Sequence, residues 1–180
     1  SDGLGMKEDL AEALSAYEAA VQKGWAPAML NLGNMYLYGQ GIPKDEMRAT
    51  DYYRQGAALN HPPSVCNLAA NFLLGRGVDK DPSEGMRLMR QAAILGYAVA
   101  QMNMAGCLAY GQDCRKSIPL SYAWATIASA ASQKARDFLA SNLAEITKAQ
   151  LASGEKHIKA LRDEMMATPP PVHPFVNDGT

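Results

Sequence analysis

Three segments of the chain, which begin at Gly24, Asn60 and Gly96, align with one another without a gap. The offset is 36 residues in both cases (60 − 24 and 96 − 60). Each segment has the same order of large, small and glycine positions: Leu32, Leu68 and Met104; Gly33, Ala69 and Ala105; Tyr36, Phe72 and Leu108; Gly39, Gly75 and Gly111. A period in the thirties with paired helical patterns is typical of an α-solenoid. We therefore predict an all-α fold, an α-solenoid of antiparallel helix pairs.

Each repeat is predicted to consist of two helices. In repeat one the first helix spans residues 26–38, where apolar residues recur at the spacing of one buried stripe: Ala28, Leu32, Met35 and Tyr36. Gly39-Gln40-Gly41 ends this helix, because glycine readily adopts the left-handed conformation that terminates helices. Asp45 then caps the second helix.

The same register divides the whole chain. Residues 1–23 are predicted to form the second helix of a truncated repeat, 24–59 repeat one, 60–95 repeat two, 96–132 a divergent repeat three, 133–166 a C-terminal helical cap and 167–180 a proline-rich tail. A capping box at Asp9–Glu12 predicts that the first helix starts there, and Thr147 is predicted to cap a helix over 148–163. We expect a further helix before Ser1 in the natural protein, unless Ser1 follows a cleavage site.

Composition argues against several classes of function. The net charge is −1, with 17 basic and 18 acidic residues, so the chain lacks the basic surface of a nucleic-acid binder. No apolar run approaches the roughly 20 residues that span a bilayer. The histidines His61, His157 and His173 do not have the spacing of metal ligands, and no nucleophile or phosphate-loop motif occurs. We predict no catalytic residue, no metal, no cofactor and no enzymatic activity.

The three cysteines have different predicted environments. Cys66 takes the position of Leu30 and Met102, which predicts a buried, inert thiol. On one continuous helix Cys107 and Cys114 would be about 10.5 Å apart, too far for a disulfide. Gly111 ends that helix, however, and the loop position of Cys114 folds back onto it. Either a disulfide or two free thiols therefore fits the sequence, and a disulfide would indicate an oxidising compartment.

The run from Ala28 to Asp45, with its Asn31-Leu32-Gly33 core and its Gly39-Gln40-Gly41 turn, resembles the signature of the Sel-one-like repeat (SLR) family. The run Tyr122–Ala128 is similar to the closing repeat of bacterial members. The resemblance implies a superhelix related to tetratricopeptide repeats. Family members are adaptors, scaffolds and regulators of protein complexes. Because many bacterial members are exported, the resemblance favours the periplasm or secretion slightly over the cytoplasm.

The resemblance also implies where a partner binds. In such solenoids the first helices line the concave face, and the candidate residues on it are Asn31, Asn34, Tyr38, Asn67, Leu74, Asn103 and Tyr110. The repeated Asn31, Asn67 and Asn103 have two interpretations: their amides bond the neighbouring repeat, or they bind a peptide backbone. Tyr38 and Tyr110 are better candidates for contact, since tyrosine is enriched at binding hot spots.

We therefore expect a non-catalytic scaffold or adaptor that binds a protein or peptide in its concave groove. Two alternatives remain: a dedicated inhibitor or immunity protein that blocks a toxin or enzyme, and an envelope regulatory protein. An inhibitor would use a convex edge or the proline-rich tail in place of the groove. The sequence predicts neither the partner nor the oligomeric state.

Overall fold

The structure, a computed structural model, describes residues 2–142 and 146–169, with side chains from residue 12 onward. These residues form nine α-helices and no β-strand, which confirms the all-α prediction. The helices are α1 (Asp2–Gln22), α2 (Ala26–Tyr38), α3 (Glu46–Ala58), α4 (Pro62–Leu74), α5 (Pro82–Ile94), α6 (Ala98–Tyr110), α7 (Ile118–Ala128), α8 (Gln133–Asn142) and α9 (Lys148–Ala167). The helix predicted over 26–38 has the predicted bounds.

The helices fall into two compact units. Unit 1 comprises α1 to α4 and ends at Asp81, whereas unit 2 begins at Pro82 and comprises α5 to α9. In unit 1, α2 packs against α1, α3 and α4. Leu32, Tyr53 and Val65, one from each of α2, α3 and α4, are completely buried. Full burial of such a side chain stabilises the fold by about 1.5–3 kcal/mol.

A glycine in the middle of α2 makes room for an aromatic ring of α3. A Cβ atom added to Gly33 would overlap the ring of Tyr53. In repeats two and three, the residues equivalent to Gly33 and Tyr53 are Ala69 with Met89 and Ala105 with Ala125. Glycine therefore occurs at this position only in the repeat whose second helix carries the tyrosine.

The change Gly33→Ala should destabilise the protein, because the Tyr53 ring must move from its packed position. Overpacking of this kind costs about 1–3 kcal/mol. The matched control is Gly106→Ala in α6, where an added Cβ would meet nothing within 4 Å. Both changes gain the same helix propensity, so the difference in their urea-derived free energies of unfolding isolates the steric cost. Equal stability of the two variants would show that Tyr53 does not pack on Gly33.

A buried polar cluster joins α3 to the loop that follows α4. Asn71 Nδ2 donates a hydrogen bond of 2.8 Å to Thr50 Oγ1, and both side chains are only 1% exposed. The Thr50 hydroxyl lies 2.9 Å from the carbonyl oxygens of Glu46 and of Arg76, and it donates to either. In the same loop Gly77 has a left-handed φ of 62° and packs against the Glu46 carbonyl, where a Cβ would not fit. The contact fixes the register between the two repeats of unit 1.

In unit 2, α7 packs against α6, α8 and α9. Trp124 of α7 is 1% exposed and is the largest fully buried side chain among the described residues. The Ser121 hydroxyl donates a hydrogen bond of 2.7 Å to the Ala105 carbonyl, which joins α7 to α6. A bidentate ion pair between Arg90 and Glu164, at 2.7 and 2.6 Å, joins α5 to α9.

Two predicted helix boundaries were wrong. Helix α1 begins at Asp2 and runs through Asp9, because glycine and aspartate near its start lower helix propensity without forbidding a helix. Helix α9 begins after the predicted Thr147 cap, which forms a capping box with Gln150, but it continues to Ala167 and not 163. Residues 164–168 contain neither glycine nor proline, so nothing ends the helix at 163. The proline-rich tail lies, from residue 170 onward, outside the described residues.

Candidate protein-binding surface

Each first helix ends with a large apolar side chain in solvent. In unit 1, Tyr38 and Leu74 are the last residues of α2 and α4, and they are 64% and 57% exposed. The glycines that follow them have φ values of 68° and 69°, so each helix stops directly after its exposed residue. In unit 2, Tyr110 ends α6 in the same way and is 71% exposed. The repeat therefore places one exposed apolar residue at the same point of each of these helices.

The other candidate residues lie on the same helices as these three. None of Asn31, Asn34, Asn67 and Asn103 is buried, although most of their helix neighbours are. We call these positions, on each unit taken by itself, the first-helix surface. It comprises Asn31, Asn34, Tyr38, Asn67 and Leu74 on unit 1, and Asn103 and Tyr110 on unit 2.

The asparagines of this surface have different hydrogen-bond partners. Asn34 Oδ1 accepts from the Tyr53 hydroxyl at 2.7 Å and from Asn67 Nδ2 at 3.3 Å. Burial raises the pKa of Tyr53, so its hydroxyl remains a donor at physiological pH. Asn34 and Asn67 therefore hold α2, α3 and α4 together, as the structural interpretation requires.

Asn31 and Asn103 are not held in this way. The side chain of Asn31 forms no hydrogen bond with any residue that the structure describes. Among the described residues, the acceptor for Asn103 Nδ2 is the Met89 sulfur, a weak acceptor, at 3.8 Å. Their amides can therefore hydrogen-bond a bound ligand.

An open pocket of about 290 Å³ lies beside Asn31 in unit 1. It is lined by α1, α2 and the turn after α2, through Ala13, Tyr17, Asn31, Asn34, Met35 and Gln40. These residues offer amides, a phenol and apolar atoms, but neither a charge nor a nucleophile. The pocket suits an uncharged group that makes hydrogen bonds, such as a peptide segment.

Sequence reasoning did not assign Tyr17, Ala13 and Gln40 to this site. Tyr17 precedes Tyr53 by one period (53 − 36), and that register is the signal that could have identified it. Gln40 lies between the two glycines of the turn. The exposure of both residues depends on how α1 packs beside α2, and the register alone does not give that packing.

The cysteines are free thiols in the structure. Burial raises the pKa of Cys66 to about 11, which disfavours the thiolate and agrees with an inert core residue. Burial also raises the pKa of Cys107, and the neighbouring Cys114 contributes to this rise. The Cys114 thiol is therefore near enough to influence Cys107 electrostatically, and the structure holds the two as free thiols without a disulfide.

The described residues contain no group of three His, Cys, Asp or Glu side chains arranged to hold a metal. Among the described helices, none combines the length and the apolar character that crossing a membrane requires. Within each unit, antiparallel helices with a 36-residue register and left-handed glycines after the first helices define an α-solenoid of the SLR type.

The model of the Sel1 repeat family matches residues 26–61, 62–97 and 98–132, so the chain belongs to this family. The starts of the three segments are again 36 residues apart (62 − 26 and 98 − 62). Sel1 repeats are in general protein–protein interaction modules, and proteins built from them are typically non-catalytic scaffolds. The chain is thus built from repeats of a kind that generally serves in protein–protein interaction. No curated protein matched it in sequence.

Two solved bacterial structures are similar. The crystal structure of a Sel1 repeat protein from Oxalobacter formigenes is 26% identical, with a TM-score of 0.63, over 71% of this chain and 97% of that chain. A protective antigen of uropathogenic Escherichia coli strains, which displays an SLR fold, is 24% identical with a TM-score of 0.71. The match covers 93% of this chain, which spans only 37% of that antigen's chain. The resemblance to the SLR family is confirmed.

Proposed function

We propose that this protein is a non-catalytic adaptor that binds an extended peptide segment of a partner protein on its first-helix surface. The observation that carries the proposal is the recurrence of an exposed apolar residue, Tyr38, Leu74 or Tyr110, at the end of each first helix. Exposed aromatic residues beside hydrogen-bonding groups are typical of binding hot spots.

The chemistry of unit 1 favours a particular kind of segment. The Asn31 amide offers both a donor and an acceptor to a peptide backbone. The adjacent 290 Å³ pocket has room for a side chain of the ligand, and the described residues of its lining carry no charge. We therefore expect a largely uncharged partner segment, whose affinity changes little with ionic strength.

The double change Tyr38→Ala with Tyr110→Ala should weaken binding at least tenfold, which corresponds to about 1.4 kcal/mol. Peptides selected from a displayed library on the unmodified chain provide the probe, and fluorescence anisotropy gives their affinity. The peptide affinity of each single variant is measured as well, because a peptide that binds one unit alone should lose affinity in only one of the two variants. Helicity should not change, because both side chains are mostly exposed.

The matched control is Met47→Ala. Met47 is 70% exposed, but it lies on a second helix, α3, outside the first-helix surface. Its removal should leave peptide affinity unchanged. Full binding by the folded double tyrosine variant, together with a loss in the Met47 variant, would contradict the proposal. That result would place the site outside the first-helix surface and favour the inhibitor alternative, in which a convex edge or the proline-rich tail makes the contact.

A further inference from the structure

A second cavity lies within unit 2, where α6, α7, α8 and the start of α9 meet. Its volume is about 250 Å³, and its apolar lining includes Ala109, Ile118, Phe138, Leu139 and Ile146. An apolar cavity of about 150 Å³ holds benzene, so on the same scale this cavity holds a body of about ten carbon atoms.

Several polar groups of the lining already have partners inside the protein. The Ser121 hydroxyl donates to the Ala105 carbonyl, and Asn142 Nδ2 donates to the Phe138 carbonyl at 2.8 Å. Gln150 Oε1 accepts from the backbone N–H and the hydroxyl of Thr147, at 2.9 and 3.0 Å. These contacts leave the Gln150 NH₂ group without a partner among the described residues.

Lys116 is the charged residue of the described lining, and its ammonium forms no ion pair with any residue that the structure describes. The described lining contains no carboxylate that would compete for this charge. Lys116, an exposed residue, and Gln150 both line the cavity, and the side chain of each ends in hydrogen-bond donors. An acceptor that carries a negative charge complements this arrangement, because charge-assisted hydrogen bonds are the stronger kind.

We propose that this cavity binds a small amphipathic carboxylate. Its hydrocarbon or aromatic body fills the apolar space, and its carboxylate accepts hydrogen bonds from Lys116 and Gln150. The site belongs to unit 2 alone and does not depend on the proposed peptide-binding function.

The test uses octanoate and 1-octanol, which have the same chain length and differ in charge. Both are titrated into the full chain labelled with nitrogen-15 and followed by amide NMR spectra. Octanoate should shift signals of residues around the cavity and bind at least tenfold more tightly than octanol. The change Lys116→Gln should weaken octanoate binding at least fivefold and leave octanol binding unchanged. Lys134→Gln, an exposed lysine of α8 outside the lining, is the control and should have no effect.

A cavity-filling variant tests the location independently of charge. Ala109 lines the cavity and is 8% exposed, so Ala109→Leu should occupy the space and abolish binding of both probes. The melting temperature should not fall, since the new side chain enters an existing void. If this variant fails to fold, Lys116→Gln and its control decide the question.

Three results would overturn the proposal: equal affinity for octanoate and octanol, an unchanged octanoate affinity in Lys116→Gln, or no binding of octanoate by the folded chain. A further arm uses an acetylated peptide that ends in a leucine with a free carboxylate. Binding of this peptide without binding of octanoate would assign the cavity to the end of a protein chain and would also overturn the proposal.

Discussion

Trp124→Ala should lower the free energy of unfolding by about 3–5 kcal/mol, the usual range for truncating a buried tryptophan. Trp124 is 1% exposed and belongs to α7, which packs against three other helices of unit 2. Removing the indole leaves a cavity that these helices fill only in part. The loss is a large fraction of the 5–15 kcal/mol, roughly, that stabilises a typical protein. Urea denaturation followed by far-ultraviolet circular dichroism measures it.

The second tryptophan provides the control. Trp25 precedes α2 and is 39% exposed, and its side chain makes no capping hydrogen bond. Trp25→Ala should therefore cost less than Trp124→Ala, because a larger part of the indole is already in solvent. Equal losses from the two changes would mean that Trp124 does not lie in the core of unit 2.

The repeat register predicted much of the fold because its signals are local and periodic. Apolar stripes and left-handed glycines recur every 36 residues, and they place the end of α2 at Tyr38 and the end of α4 at Leu74. The same register predicted which side of the first helices stays outside the core. Asp45 caps α3 as predicted, since its side chain accepts from the Arg48 N–H at 3.0 Å.

The hydrogen-bond partners of the asparagines could not be predicted in this way. A ladder of Asn31, Asn67 and Asn103 suggests one role for all three. In the structure Asn67 bonds Asn34, whose position is 33 residues away and not 36. Such a partner depends on how far one helix is shifted along the next, and a sequence period contains no information on that shift.

The cavity in unit 2 could not be predicted from the sequence either. Helices α8 and α9 lie outside the repeat, so no register relates Phe138 or Leu139 to a position of known burial. Whether the space between four helices is filled depends on the sum of side-chain volumes at their meeting point. Helical periodicity identifies the apolar residues but does not give that sum.

The last prediction distinguishes two leucines of the same helix, α4. Leu68 is 4% exposed, and Leu68→Ala should lower the free energy of unfolding by about 2–5 kcal/mol because it leaves a cavity in the core of unit 1. Leu74 is 57% exposed, and Leu74→Ala should change stability by no more than about 0.5 kcal/mol. Both variants replace a leucine of the same helix by alanine. The difference between their free energies of unfolding, measured by urea denaturation, therefore reports the difference in burial of the two side chains.

For peptide affinity, we expect Leu74→Ala to have the larger effect and Leu68→Ala the smaller one. Leu74 belongs to the first-helix surface, so Leu74→Ala should weaken the selected peptides, whereas Leu68→Ala should leave the affinity of the folded fraction unchanged. A loss below 1 kcal/mol for Leu68→Ala would place Leu68 outside the core and invalidate the repeat register. A Leu74 variant with full affinity would instead leave the register intact and remove α4 from the binding surface. The two leucines therefore test the fold and the proposed function separately.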